Sequence, residues 1–461
     1  MDRAKRLGEE SVGKLLLSFS IPAIIGMLVN ALYNVVDRIF IGRGVSGTAI
    51  GALYVGMPVS LILMAFSMLI GIGGNTLVSI RLGQNRKEDA DRIAGNAVIL
   101  LAIISSVIAV LGLIFLEPLL RKLGASESNL HYAMDYLRII LIGAPLQAIG
   151  FGMNNFIRGE GNPKTAMITM LIGALLNTAL DPLFIFVFKM GVQGAALATI
   201  ISQAVSAIWV MSYFIRGKSM LTIKREYLKL KWPIFKEIVS IGFSPFSMQL
   251  AASMVTILLN TNLQKYGGDL ATSSMGVIQS VAMMVLMPIF GINQGSQPII
   301  GYNYGAENYD RVKKALAYAI IGSTTIATIG FVATQFFPKN IIELFISDKS
   351  DLDQILGIAV PGIKTYLMAL PIIGFQIVSS AFFQAIGKPK HSAFLSLSRQ
   401  VIVLIPALLI LPNIYGLKGI WMAGPIADTI ASVLTAILLF HFLRQLKQIE
   451  KDQLNNSLSK T

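Results

Sequence analysis

Three carboxylates stand where a carboxylate is expensive. Asp37, Asp181 and Asp428 each interrupt a long apolar run. A charged side chain at membrane depth costs about 2.5–3.5 kcal/mol on insertion scales, and by default it faces a polar cavity on an ion or substrate path. Tyr33 and Asn34 precede Asp37 by four and three residues, and Asn177 precedes Asp181 by four, so each set shares a helix face. An apolar surround disfavours the charged form of a carboxylate, and a second carboxylate nearby disfavours it further. Such a pair suits uptake and release of a proton near neutral pH. The same oxygens, with amide and backbone oxygens, also suit Na⁺. Two readings stay open for each acid: a working group in a cavity, or a charge paired with a base or a helix end. Arg38 adjoins Asp37 but points elsewhere on a helix, and Pro182 after Asp181 predicts local distortion.

Other residue types carry weaker signals. Pro22 lies inside the first run and removes one helical hydrogen bond, as a hinge or a static kink. Met283, Met284 and Met287 fall close together; flexible, polarizable side chains suit promiscuous apolar binding, and equally suit packing. Gln249, Asn260, Asn293 and Gln297 are candidates to line a cavity or to join helices. With no cysteine in the chain, thiolate metal sites and thiol nucleophiles are excluded. His131, His391 and His441 are too scattered for a histidine metal cluster, and GEGNPK at 159–164 lacks the strand that a phosphate loop needs. No constellation for enzymatic chemistry is visible, and no cofactor is expected beyond a coupling H⁺ or Na⁺.

The elements that must position these residues are membrane helices. Of 461 residues, 54% are hydrophobic and 13% charged, with mean hydropathy +0.68, against about a quarter charged in soluble domains. Runs long enough to cross a bilayer recur at 15–41, 48–80, 93–116, 132–157, 165–188 and 191–215, then at 236–264, 270–299, 314–337, 358–385, 391–412 and 419–443. The expectation is an all-α integral membrane fold of twelve helices in two six-helix lobes: 1–14 as N-terminal segment, 15–215 as first lobe, 216–235 as basic linker, 236–443 as second lobe and 444–461 as tail. The net charge of +14 comes mostly from Lys and Arg in alternate loops, which places both termini in the cytoplasm and makes a nucleic-acid partner improbable. Tyr227 and Trp232 of the linker are expected at headgroup level.

The two halves echo each other. Pro22 pairs with Pro245, Gly83 with Gly305, Gly161 with Gly387 and Gly194 with Gly419, at offsets of 222 to 226 residues. Six helices per unit give parallel repeats, an architecture in which the path runs between lobes and access alternates by rocking. Asp37 aligns with Asn260, and Asp181 falls near Ile405, so the acids belong to the first lobe alone. Asp37 lies four residues, and Asp181 seven, before the end of its run, so the two share a depth.

Taken in order, IPAIIGMLVNALYNVVDRIFIGRG (21–44), RLGQNRKEDADR (81–92), RGEGNPKTAM (158–167), NTALDPLFIF (177–186) and GVQGAALATIISQ (191–203) resemble the multidrug and toxic compound extrusion (MATE) family, over residues 10–445. The likeness is greatest to its DinF-type branch, where the first-helix motif ends in Asp and the fifth helix carries Asn-x-x-x-Asp. The resemblance implies an outward V-shaped cavity and antiport of H⁺ or Na⁺ against amphipathic, often cationic, compounds. By position it implies coupling-ion roles for Asp37, Asp181, Asn177, Thr199 and Asn154, with a conformational role for Pro22. Tyr33, Asn34, Gln249, Met283, Met287 and Asp428 are the candidate substrate-cavity residues. The helix-seven acid of another branch is absent, since Gln249, Asn260 and Asn262 stand there. The expected setting is the plasma (inner) membrane, with a monomeric chain and small organic solutes and lipid as partners. A flippase or exporter of lipid-linked substrates is the second reading. It would favour a strongly basic cavity, and the intramembrane bases are few (Arg138, Lys364 and Arg399) against three acids.

Overall fold

The computed structural model describes the backbone of residues 3–45, 47–123, 127–345 and 352–458, and side chains within 6–33, 36–37, 39–41, 45, 53, 55–123, 130–268, 270–345 and 353–448. Every regular element among the described residues is helical. The first lobe comprises α1 (Arg3–Glu9), α2 (Val12–Gly44), α3 (Gly47–Gly83), α4 (Lys87–Ile114), α5 (Leu116–Lys122), α6 (Glu127–Gly159), α7 (Pro163–Pro182) and α8 (Gly191–Ile215). The second comprises α9 (Trp232–Gly268), α10 (Leu270–Gly305), α11 (Tyr309–Phe336), α12 (Pro338–Glu343), α13 (Leu352–Tyr366), α14 (Leu370–Ala385), α15 (Pro389–Tyr415) and α16 (Leu417–Leu458). Among the described residues, eleven helices are long and apolar enough to span a bilayer. The twelfth pass is the pair α13 and α14, bent by 48°. The sequence predicts one unbroken helix over 358–385; Pro371 at the start of α14 lacks the N–H that would carry a helical ladder through. The expected tail is helical as far as Leu458, because α16 continues into it.

The linker docks on α4. Its Thr222 N–H donates to Asp91 Oδ1 at 2.8 Å and its Lys231 N–H to Asn96 Oδ1 at 2.7 Å, while Asn96 Nδ2 donates to the Tyr227 carbonyl at 3.2 Å. Tyr227 is therefore buried in protein and not at headgroup level, whereas Trp232 is exposed.

The lobes meet along two close crossings, and glycine makes both. A Cβ on Gly242 of α9 would lie 1.8 Å from the Leu69 carbonyl oxygen of α3, and one on Gly73 would lie 2.3 Å from that of Ile238. On the other side, Gly291 and Gly295 of α10 receive Ile24 and Ser20 of α2. Pro22, buried inside the continuous α2, sits between those two contacts. Polar ties reinforce the end of the bundle that carries the termini: Arg81 pairs with Glu237 at 3.1 Å, Arg158 donates to Gln294, and Arg311 and Asn303 donate to the Leu7 carbonyl at 3.1 and 2.9 Å. Further from the termini the seam opens. The α10 face that packs at Gly295 and Gly291 continues through half-buried Met287 to Met284, 65% exposed, and to exposed Ser280 and Gly276. On α9 the packed Gly242 and Phe246, whose ring meets Phe66 at 4.8 Å, give way to exposed Met254 and Ile257.

Candidate functional site

Packing sets the depth of the acids. Gly26 of α2 lies against the Met170 sulfur of α7, where an added Cβ would approach to 2.7 Å. The two helices run in the same direction from this contact. Asp37 and Asp181 each stand eleven residues beyond it, about 16 Å along either helix. Both are buried, and their carboxyls lie within hydrogen-bonding reach of each other. Asn177 Nδ2 faces Asp181 Oδ1 at 3.5 Å and Thr199 Oγ1 at 3.4 Å; the Thr199 hydroxyl donates to the Ala195 carbonyl at 3.0 Å. Asp181 Oδ2 and Asn177 Oδ1 are buried acceptors without a hydrogen-bond partner among the described residues. No described Lys or Arg forms an ion pair with Asp181.

Two carboxyls attract each other only when a proton or another cation lies between them. The buried oxygens without donors would take either: a proton on one carboxyl, or Na⁺ among hard oxygen ligands. Among the described residues no group of three or more His, Cys, Asp or Glu gathers. The helix is distorted where the pair forms. Pro182 ends α7, and a π-turn follows over Leu183–Val187, closed by a Phe188 N–H to Leu183 carbonyl bond of 2.9 Å. Single π-turns inside helices recur at functional sites.

The site contains a residue that sequence reasoning missed. Tyr136 of α6 lies close to Thr199, Asp37, Tyr33 and Asp181. A signal was present: Tyr136 lies near the start of its span, the end at which Asp37, Asp181 and Thr199 also lie. Asn154 is buried on the same helix but eighteen residues further on, about 27 Å along its axis. It stands apart from the acid pair. Tyr33 is at the site, and the Asn34 side chain lies outside the described residues.

The second-lobe candidates are differently placed. Asp428 of α16 is not an isolated acid; its Oδ1 accepts from Arg399 Nε of α15 at 2.5 Å, so the base-pairing reading holds for this residue. Gln249 is half-buried on α9, and Met283 and Met287 lie on the α10 face that opens along the seam. Asn262 donates to the Leu408 carbonyl at 2.9 Å and joins helices. Arg138 and Lys364 are exposed, so the bases do not converge on a basic central cavity.

Another buried carboxylate went unread because it lies in a loop. Glu160, between α6 and α7, is fully buried and accepts hydrogen bonds from Tyr213, Ser219 and, at 2.9 Å, the Met220 N–H. Burial pushes its carboxyl above the ordinary range, and these donors hold it part of the way back. It fastens the linker to the first lobe.

Comparison with known proteins agrees with this architecture. The sequence model of the MatE family matches residues 22–183 and 246–409, one stretch in each lobe. The multidrug export protein MepA of Staphylococcus haemolyticus is 29% identical over 446 residues, covering 97% of each chain. A structure described as the outward-facing conformation of a multidrug resistance MATE family transporter of the MOP superfamily superposes with a TM-score of 0.90 at 27% identity, over 96% of this chain and 98% of that one. A MOP superfamily transporter from Pyrococcus furiosus, described as having a binding pocket of reverse polarity, gives the same TM-score, identity and coverage. The chain belongs to the MATE family of multidrug efflux transporters.

Proposed function

We propose that this protein exports amphipathic, predominantly cationic, organic compounds across the plasma membrane by alternating access, in antiport with H⁺ or Na⁺ held at Asp37 and Asp181. The observation that carries the reading is the approach of two buried carboxyls, an arrangement that needs a small cation. Asn177, Thr199 and Tyr136 orient the pair and supply further oxygens. The Lys and Arg distribution assigns both termini to the cytoplasm, and the open half of the seam then faces outward.

The cycle follows from differential affinity between states. A cation arriving from outside neutralises the pair and removes the repulsion between the carboxyls. The first lobe then packs more closely and its hold on the substrate weakens. Pro22, at the contact between α2 and α10, leaves the Ser18 carbonyl without a helical partner. It gives α2 a point at which to bend as the seam rearranges. Export by the MepA relative supports the reading.

Dye efflux from vesicles with a pH gradient or a Na⁺ gradient imposed separately tests it. One gradient is expected to drive accumulation against the dye's own gradient. Accumulation indifferent to both would refute antiport.

A further inference from the structure

The second lobe holds a charged cluster that cation coupling does not use. Arg399 lies ten residues into α15 and Asp428 eleven into α16, from opposite ends of the bundle. Each is therefore about 15–17 Å deep, in the middle of the lobe. Tyr366, at the end of α13 where the tenth pass breaks, lies within electrostatic range of both. The exposed stripe of α15 runs through Phe394, Val401, Ile402, Leu409 and Ile410. Arg399 leaves it: Ser392 and Ser396, on the preceding turns, meet Ser244 of α9 at 2.8 and 3.0 Å. The guanidinium thus points inward, among α9, α13, α15 and α16, from a π-turn over Ser398–Leu404.

Its hydrogen bonding is incomplete. Arginine carries five N–H donors in a planar fork. Asp428 takes the one on Nε, and the terminal nitrogens have no protein partner among the described residues. The Arg399 side chain keeps 28% of its surface accessible, against 4% for Asp428. A purely structural buried pair would be expected to satisfy the fork from both sides, because unmet donors of a charged group cost several kcal/mol. Here one edge of the fork is held by Asp428, and the rest keeps accessible surface at the depth where α13 and α14 break. Discontinuous helices at mid-membrane are where transporters bind substrate.

We propose that Arg399, held in place by Asp428, binds the carboxylate of zwitterionic amphipathic substrates in the second lobe. This rests on the export reading and specifies its substrate class: molecules that pair a cationic or aromatic body with a carboxylate. Asp428 positions the guanidinium and competes with the ligand for its charge. Removing Asp428 alone should therefore tighten binding of a carboxylate.

The test uses rhodamine B, a cationic ring system with a free carboxylate, and its ethyl ester. Binding to the purified protein is read by fluorescence anisotropy, and transport by dye accumulation in proteoliposomes. Wild type is expected to prefer rhodamine B. Arg399→Gln combined with Asp428→Asn, which leaves no buried charge unpaired, should weaken rhodamine B by about tenfold, the worth of a charged hydrogen bond, and move the ester by less than about twofold. Asp428→Asn alone should tighten rhodamine B and leave the ester unchanged. Equal wild-type affinities, or a parallel loss of both dyes in the double variant, would overturn the assignment and leave export standing. Selective displacement of rhodamine B by phosphatidylglycerol would overturn it in favour of a lipid headgroup. A wild type that neither binds nor moves either dye would overturn the export reading and this one with it.

Discussion

The two lobes meet the same electrostatic problem in opposite ways. Each carries a buried carboxylate beside a π-turn at membrane depth: Asp181 just before Leu183–Val187, and Asp428 against Arg399 in Ser398–Leu404. In the second lobe the chain supplies the compensating charge itself, permanently. In the first, Asp181 faces Asp37, Asn177 and the Tyr136–Thr199 pair, so compensation must come from solution. A duplicated scaffold has thus been given one fixed cation and one exchangeable one. Only the exchangeable one can report a gradient.

The sharpest way to break that contrast is to neutralise an acid on each side. Asp37→Asn or Asp181→Asn should cut gradient-driven export by roughly 5–150-fold, the usual span of a coupling free energy, with membrane insertion unchanged on a gel-filtration profile. Asp428→Asn should leave the dependence on H⁺ or Na⁺ as in wild type; a lost cation dependence there would erase the distinction between lobes. Next in size is the seam that lets the lobes respond to each other. Gly242→Leu forces a side chain into the Leu69 carbonyl and should cost about 1–3 kcal/mol, seen as a lower thermal midpoint and as weaker protection of the terminal end in hydrogen exchange.

Smaller effects sharpen the comparison within the first lobe. Tyr136→Phe removes one hydroxyl from the site, worth about 0.5–1.5 kcal/mol, and should weaken the coupling cation by up to roughly tenfold without disturbing folding. Glu160 is the intermediate case, a buried acid with fixed donors and no fixed cation. Its folded carboxyl titrates above the ordinary value of 4.5, so the cost of burying its charge is absent below that pH and complete once pH passes the folded value. Wild type should therefore lose stability relative to Glu160→Gln as pH rises through that window, in melts recorded across pH. The opposite slope would contradict the burial argument.

Much of this was legible in the sequence because bilayer thickness converts composition into spans and helix rise converts position into depth. The run lengths locate the passes, and the placement of Asp37 and Asp181 near the ends of theirs puts them at one level. What distance along the chain cannot carry is lateral proximity. The Gly26–Met170 contact that sets the register of α2 on α7, the arrival of Tyr136 from α6, and the meeting of Arg399 with Asp428 are all products of packing between helices. Asn154 shows the converse, a polar residue in the right lobe but several turns from the pair. Glu160 and Asp91 were hidden by their loop and helix-start positions, which read as solvated until the linker is seen to cover them. The break between α13 and α14 had a cue in Pro371, masked by an otherwise continuous apolar run.

The central claim is that substrate and a small cation compete for opposite states of the Asp37–Asp181 pair. Cation release on substrate binding to the purified protein measures this directly, by calorimetry in buffers of different ionisation enthalpy for H⁺ and by displacement of radioactive Na⁺. Wild type is predicted to release about one cation of one kind per substrate bound, the shift that linkage between the two sites requires. Asp181→Asn is predicted to bind substrate and release none. Equal release by the two proteins, or none by either, would contradict the account.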